Sequence, residues 1–344
     1  MAKNGYKHGT SNRIENIVFF SGSSHPDLAR MIATQLSIPI SDSIQDCFSN
    51  GERRIELHAN VRGRHVYILQ TGCFTNNEST NDYIMELLLM INSARLSDAK
   101  SITAIIPHFP YARQDKKDRS RTPISSRLFA EMLQTAGVTR VVTMDLHSSQ
   151  IQGFFTIPVD NLFARDLIIK HLETKFFTGF AQKEIQKRFV LVSPDAGGAK
   201  RVLKMAQKME LNSVLMHKQR DHSKKNHVDK TIIVGEEGCL KGKTCIIVDD
   251  MADTLGTVTK ACEELIKNGA RDVIVCITHG VLSGPAFERL NNCDAITHLV
   301  TSNTIPQDST ILKSSKVQVF DVSELLATCM ERIVNGGSIS ALFR

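Results

Sequence analysis

Residues 248–257 read VDDMADTLGT, and they come directly off the apolar run CIIV that starts at Cys245. A short, continuous apolar run predicts a strand buried on both faces, which places Asp249 and Asp250 at the strand end, on opposite sides of it. The turn through Asp253, Thr254, Leu255, Gly256 and Thr257 then presents backbone N–H groups at the start of a helix, where an anion is favoured. Carboxylates accept hydrogen bonds from a vicinal diol while the turn takes a phosphate, so the ligand expected here is a phosphorylated sugar.

The flanking sequence supports this placement. VTKACEELIK carries apolar residues at Val258, Ala261, Cys262 and Leu265, the spacing of an amphipathic helix. Asn268 and Gly269 supply its stop. A second apolar run, DVIVCITHG, follows, giving a strand, loop, helix and strand in the order of a parallel right-handed crossover. In such sheets ligands bind beyond the carboxyl ends of the strands.

Similar runs recur along the whole chain at residues 17, 66, 102, 141, 189, 214, 245, 273, 298 and 317. Helical patterns separate most of them, so the class is α/β with mainly parallel strands. HVYILQTG, a helix YIMELLLMINSARL and SITAIIPHF in the first half repeat the supersecondary order of the second half. The fold expected is therefore two similar domains, each a mainly parallel sheet flanked by helices. Gln70 and Thr71 stand where the second copy has Asp249 and Asp250, so one sugar-phosphate site per chain is expected. The boundaries read are an extension at 1–13, expected to be disordered, a first domain at 14–160 and a second at 161–344, with the turn-rich IPVDN at the junction.

Length and composition bound the function. The chain has 344 residues, with 42% hydrophobic and 23% charged residues, ordinary for a globular protein with two cores. Its net charge of +6 suits an anionic small molecule. No Trp and few aromatics argue against base-stacking nucleic-acid binding. No apolar run reaches transmembrane length. The eight cysteines include no C-x-x-C pair and read as reduced core residues of a cytoplasmic protein.

VDDMADTLGT resembles the phosphoribosyl diphosphate motif of the type I phosphoribosyltransferase fold, in the form used by ribose-phosphate pyrophosphokinases. FSNGE, PYARQDKKD, MDLHSSQIQGFF, SPDAGGAKR and HKQR carry the same resemblance over nearly the whole chain. It implies a duplicated type I phosphoribosyltransferase-like fold and transfer of the β,γ-diphosphate of ATP to the 1-hydroxyl of ribose 5-phosphate, giving phosphoribosyl diphosphate and AMP.

Site residues follow from the same resemblance. The ribose 5-phosphate set is Asp249, Asp250, Asp253, Thr254, Leu255, Gly256 and Thr257, with Arg220. In FSNGE, Phe48 would stack on adenine, while Asn50, Gly51 and Glu52 complete the cradle; by spacing alone this stretch is only a turn, since Asn-Gly is a hairpin signal. In the loop at residues 110–123, Arg113 and Gln114 are implied for ATP, and Lys116 and Lys117 add point charges suited to phosphates. Asp145 and His147 are read as lying on one strand face, with His147 implied at the Mg²⁺ held by the ATP phosphates and Asp195 of SPDAGGAKR as a second ligand. Lys218 and Arg220 are the implied catalytic pair, followed by a polar stretch expected to order with ligand.

Ser314, Ser315 and Lys316 resemble part of a regulatory phosphate site. Family members assemble from dimers into hexamers, so a homo-oligomer is expected, although HLETKFFTGFAQKEIQKR at residues 171–188 looks inserted and leaves assembly and effector response open. Two other functions remain in play: a phosphoribosyltransferase that consumes phosphoribosyl diphosphate, which the doubled architecture and the Arg113 loop oppose, and a non-catalytic regulatory relative, which the intact acids and basic pair oppose.

Overall fold

The computed structural model describes residues 16–75, 77–219, 230–236 and 238–343. The chain divides into two compact units, Met1–Phe163 together with Val322–Arg344, and Ala164–Asp321. The residues read as a terminal extension, together with Arg220 and residues 221–229, lie outside the described residues.

In the first unit the strands are β1 (Ile17–Ser21), β2 (Ser43–Cys47), β3 (Arg53–Leu57), β4 (His65–Leu69), β5 (Ser101–Ile106), β6 (Arg140–Met144) and β7 (Val159–Leu162). Five of them form a sheet in the order β1-β4-β5-β6-β7, every neighbouring pair parallel. Strands β2 and β3 form a separate antiparallel hairpin. Valine and isoleucine fill both faces of the sheet, as parallel strands under helices require, and Val66, Ile68, Ile102 and Ala104 pack with Leu87, Met90 and Ile91 of helix Thr80–Leu96.

The second unit contains β8 (Phe189–Ser193), β9 (Ser213–Gln219), β10 (Lys230–Val234), β11 (Thr244–Ala252), β12 (Asp272–Gly280), β13 (Ile296–Ser302) and β14 (Val317–Phe320). Their order is β10-β9-β8-β11-β12-β13-β14, parallel throughout except for β9 with β10. Helix Gly256–Lys267 buries Val258, Ala261, Cys262 and Leu265, the four positions its spacing predicts. Every apolar run noted in the sequence is a strand.

The duplication is visible in topology. Each unit runs strand, helix, antiparallel pair, strand, helix, strand. The copies differ in where the antiparallel pair goes. In the second unit β9 joins the sheet beside β8, on the side away from β11, so chain order reverses between β8 and β11. That reversal is a topological switch point, and it opens a crevice at the strand ends. In the first unit the β2–β3 hairpin stays out of the sheet and β1 is left at an edge, so its sheet has no such reversal.

Two boundaries differ from the sequence reading. The first unit continues through β7 to Phe163 rather than ending near 160, because Val159–Leu162 pairs in register with β6. The C-terminal helix Ser323–Asn335, read as part of the second domain, groups with the first unit and packs against helix Pro26–Leu36. The inserted-looking segment forms the end of helix Arg165–Lys175 and helix Gln182–Arg188. Phe177 packs on Phe189, with ring centroids 4.6 Å apart, and Gln182 Nε2 donates to the Met209 carbonyl at 2.8 Å. No helix among the described residues is long and apolar enough to cross a membrane.

Candidate active site

The switch point of the second unit gathers three loops. After β8, Ser193 Oγ donates to the Asp195 carbonyl at 2.7 Å and Asp195 Oδ1 accepts the Gly198 N–H at 3.0 Å, so this turn is stapled before helix Ala199–Met209 begins. A Cβ on Gly198 would lie 3.0 Å from Ser193 Oγ, which explains the small residue there. Asp195 itself stays exposed.

Strand β11 brings the paired acids to the same place, with one correction to the sequence reading. The strand does not end at Asp249 and Asp250 but continues to Ala252, because Met251 and Ala252 still pair with His279 and Gly280 of β12. The acids do alternate in burial, yet one cation spans them. Nη1 of Arg201, on helix Ala199–Met209, lies 3.3 Å from Asp249 Oδ1 and 3.3 Å from Asp250 Oδ1. Two carboxylates share one guanidinium. The Asp249 carboxyl is held well above the usual carboxylate range, first by burial and then by the charge of Asp250, with Arg201 opposing. A sugar diol donating to these oxygens, or a nearby cation, relieves that frustration.

The third element is the turn into helix Gly256–Lys267. Leu255 adopts a left-handed conformation, φ 60°, and its side chain is buried, so the turn is anchored apolarly and its backbone faces outward. Ser283 Oγ donates to Asp253 Oδ1, and Arg289 Nη1 donates to the Thr254 carbonyl at 2.8 Å. Its N-cap residue, Leu255, has no side-chain acceptor to offer the helix. A helix N-terminus presents N–H donors and a partial positive charge that suit a phosphate. The corresponding helix of the first unit, Thr80–Leu96, is closed by a capping box in which Ser79 Oγ accepts the Asp82 N–H at 3.2 Å and the Ser79 N–H donates to Asp82 Oδ2 at 2.9 Å.

Within the first unit, FSNGE forms the tip of the β2–β3 hairpin, with the Phe48 N–H donating to the Glu52 carbonyl at 2.8 Å and Gly51 at φ 87°. Phe48 is 53% exposed, which leaves its ring open to a stacking partner. Asn50 and Glu52 are exposed beside it. Arg113, Gln114, Lys116 and Lys117 are exposed on the loop after β5. Gln114 anchors the loop's return, since its carbonyl accepts from Ser126 Oγ at 2.9 Å and its Oε1 from Ser125 Oγ at 2.5 Å.

Asp145 and His147 do not share a strand face. Strand β6 ends at Met144, Asp145 takes φ 35° with its N–H donating to the Leu162 carbonyl at 2.8 Å, and the chain turns so that Asp145 is buried while His147 is exposed. Lys218 is placed by its backbone in β9, opposite Thr231. Ser314 Oγ donates to Asn291 Oδ1 at 2.9 Å, and Lys316 Nζ donates to the carbonyls of Leu290 and Cys293 at 3.1 and 2.9 Å, so both serve the C-terminus of helix Ala286–Asn292; Ser315 is exposed. Arg201, Ser283 and Arg289 escaped the sequence reading. SPDAGGAKR contains Arg201, but nothing in its spacing shows that it reaches the two acids of β11.

Among the described residues no group of three or more His, Cys, Asp or Glu side chains is gathered to hold a metal ion. An isolated exposed carboxylate such as Asp195 still fits Mg²⁺, which keeps several waters and takes its other oxygens from substrate phosphates.

Residues 17–137 match the N-terminal domain of ribose phosphate pyrophosphokinase, and residues 230–344 match the phosphoribosyl synthetase-associated domain. The crystal structure of phosphoribosylpyrophosphate synthetase from Mycobacterium smegmatis is 37% identical, covers 94% of this chain and 100% of its own, and superposes with a TM-score of 0.83. Adenine phosphoribosyltransferase from Saccharomyces cerevisiae, 17% identical over 34% of this chain and 66% of its own, has a TM-score of 0.26, too low to bear on the fold. With a 37% identical relative aligned over nearly its full length, the chain belongs to the ribose phosphate pyrophosphokinase family of diphosphotransferase enzymes.

Proposed function

We propose that this chain transfers the β,γ-diphosphate of ATP to the 1-hydroxyl of ribose 5-phosphate, releasing AMP and forming phosphoribosyl diphosphate. The observation that carries the reading is the second unit's switch point, where a carboxylate pair bridged by Arg201 adjoins the N-terminus of a helix whose N-cap residue, Leu255, has no acceptor side chain. In this assignment Asp249 and Asp250 accept hydrogen bonds from the ribose diol. The turn from Asp253 through Thr254, Leu255, Gly256 and Thr257 takes the 5-phosphate on its backbone N–H groups.

Phe48 stacks on adenine, with Asn50, Gly51 and Glu52 around it, and Arg113, Gln114, Lys116 and Lys117 meet the nucleotide and its phosphates. Lys218 and Arg220 neutralise charge developing around the β-phosphorus, and alignment supplies the rest of the acceleration. Mg²⁺ bound to the ATP phosphates would withdraw charge from the transferred group, and Asp195 and His147 are the residues that would hold it. The free, mostly buried cysteines suit a reducing cytoplasm, and a homo-oligomer is part of the proposal. Mixing the full chain with Mg²⁺, ATP and ribose 5-phosphate should release AMP; pyrophosphate release from phosphoribosyl diphosphate and a nucleobase, without AMP formation, would replace this reading with a phosphoribosyltransferase.

A further inference from the structure

In the first unit, the place that corresponds to the carboxylate pair is filled by the protein's own charges. Glu86, on helix Thr80–Leu96, is fully buried. Its Oε1 accepts the Ser23 N–H at 2.7 Å and Gln70 Nε2 at 2.8 Å, and its Oε2 accepts Ser23 Oγ at 2.6 Å. Gln70 Oε1 accepts the Ser24 N–H at 3.0 Å, and a Cβ on Gly22 would lie 2.3 Å from that oxygen. The loop after β1 therefore closes over a carboxylate of its own chain, as a phosphate-binding loop closes over a ligand.

A buried carboxylate needs a cation as well as donors. That cation is Arg53, whose Nη1 lies 3.7 Å from Glu86 Oε2 and whose Nη2 pairs with Glu78, its own side chain only 9% exposed. A forked guanidinium can face two carboxylates at once, which a lysine ammonium does poorly. Arg53 is opposite Cys47, the last paired position before the hairpin tip. The base of the hairpin is held apolarly by Ile55 and Leu57, and its middle by Gln45 Nε2, which donates to the Ser21 carbonyl at 2.7 Å. At the tip the hydrogen bonds are internal: Phe48 to Glu52 at 2.8 Å, Gly51 to Phe48 at 2.8 Å and the Glu52 N–H to Asn50 Oδ1 at 3.1 Å. Arg53 is thus the charged anchor nearest Phe48, and its direction is set by a buried charge in the helix behind it.

We propose that Glu86, acting through Arg53, is a positioning residue for ATP: the buried carboxylate fixes the guanidinium, and the guanidinium fixes the angle at which the hairpin presents Phe48, Asn50 and Glu52. This rests on the reading of that hairpin as the adenine contact. The test compares Arg53→Met, the double variant Glu86→Gln/Arg53→Met and Phe48→Ala in the full chain, by steady-state kinetics and thermal unfolding. Arg53→Met should raise KM for ATP on the order of tenfold, with kcat and KM for ribose 5-phosphate held within about twofold. The double variant, with no stranded buried charge, should recover thermal stability lost by the single one yet keep the raised KM for ATP. Recovery of both stability and KM in the double variant would make the pair a structural strut and overturn the proposal, as would an unchanged KM for ATP in Arg53→Met. An unchanged KM in Phe48→Ala would overturn it at a different point, by removing the hairpin from the ATP site while leaving the diphosphotransferase reading intact.

Discussion

Asp249→Asn should stabilise the ligand-free protein, and more so as pH rises. Asp249 and Asp250 both lie 3.3 Å from the same Arg201 nitrogen, so their carboxylates are about 6 Å apart or closer, and at an effective dielectric of about 20 they repel by roughly 3 kcal/mol. Desolvation of a carboxylate adds several kcal/mol, and the attraction to Arg201 returns about 4 to 5 kcal/mol, leaving a net cost of roughly 2 kcal/mol for ionising Asp249. That agrees in sign with the upward shift of its carboxyl group, caused first by burial and then by Asp250. Below the unfolded-state pKa the group is protonated in both states and costs nothing. As pH rises from there, the unfolded chain releases the proton that the native state retains, so stability falls until the native group has ionised too.

Removing the charge while keeping the shape should therefore raise the denaturation midpoint on the order of 5 °C near pH 8.5, with little change near pH 4. Thermal unfolding of wild type and variant across that range, without ligand, is the measurement. A variant destabilised equally at all pH values would show that Asp249 is a stabilising partner of Arg201 and that the pair stores no frustration for a ligand to relieve.

Three further outcomes are expected. Ribose 5-phosphate should bind more tightly as pH rises through the elevated Asp249 pKa, because the diol binds the carboxylate form; calorimetry in buffers of different ionisation enthalpy should detect proton release, and proton uptake would contradict it. Lys218→Ala should lower turnover about a hundredfold while changing KM for ATP little, and unchanged turnover would remove Lys218 from catalysis. Ser79→Ala breaks the capping box of helix Thr80–Leu96 and should cost about 1 kcal/mol of stability, read by denaturant titration, with no effect on either substrate's KM.

Much of the fold was legible because its central strands are buried on both faces and therefore read as unbroken apolar runs. What escaped were half-exposed elements. Strands β2 and β3, SIQDC and RRIEL, hold several polar residues and form a hairpin outside the main sheet, and β7 is only VDNL at an edge. The acids of β11 were legible as a local cluster. Their partners were not, since Arg201 lies 48 residues before Asp249 and Ser283 lies 30 beyond Asp253, and no local periodicity encodes such a meeting. Asp145 shows the opposite failure: the alternation rule assumed a strand that a single positive φ had already ended.

The same physics distinguishes the two copies of the duplicated unit. A helix N-terminus and a strand-end loop offer N–H donors whatever the ligand, and a protein must satisfy them with something. In the first unit Ser79 and Asp82 cap the helix, and Glu86 takes the Ser23 donors. In the second the N-cap is Leu255, which has no acceptor, and the neighbouring acids both meet Arg201. Exchanging the local solutions should exchange the behaviour. Asp250→Asn, which halves the charge of a pair that Gln70 and Thr71 leave neutral in the first unit, should raise stability without ligand as ribose 5-phosphate affinity falls. A variant that lost affinity without gaining stability would show that the paired charges carry no energetic penalty, and the difference between the copies would then need a cause other than charge repulsion.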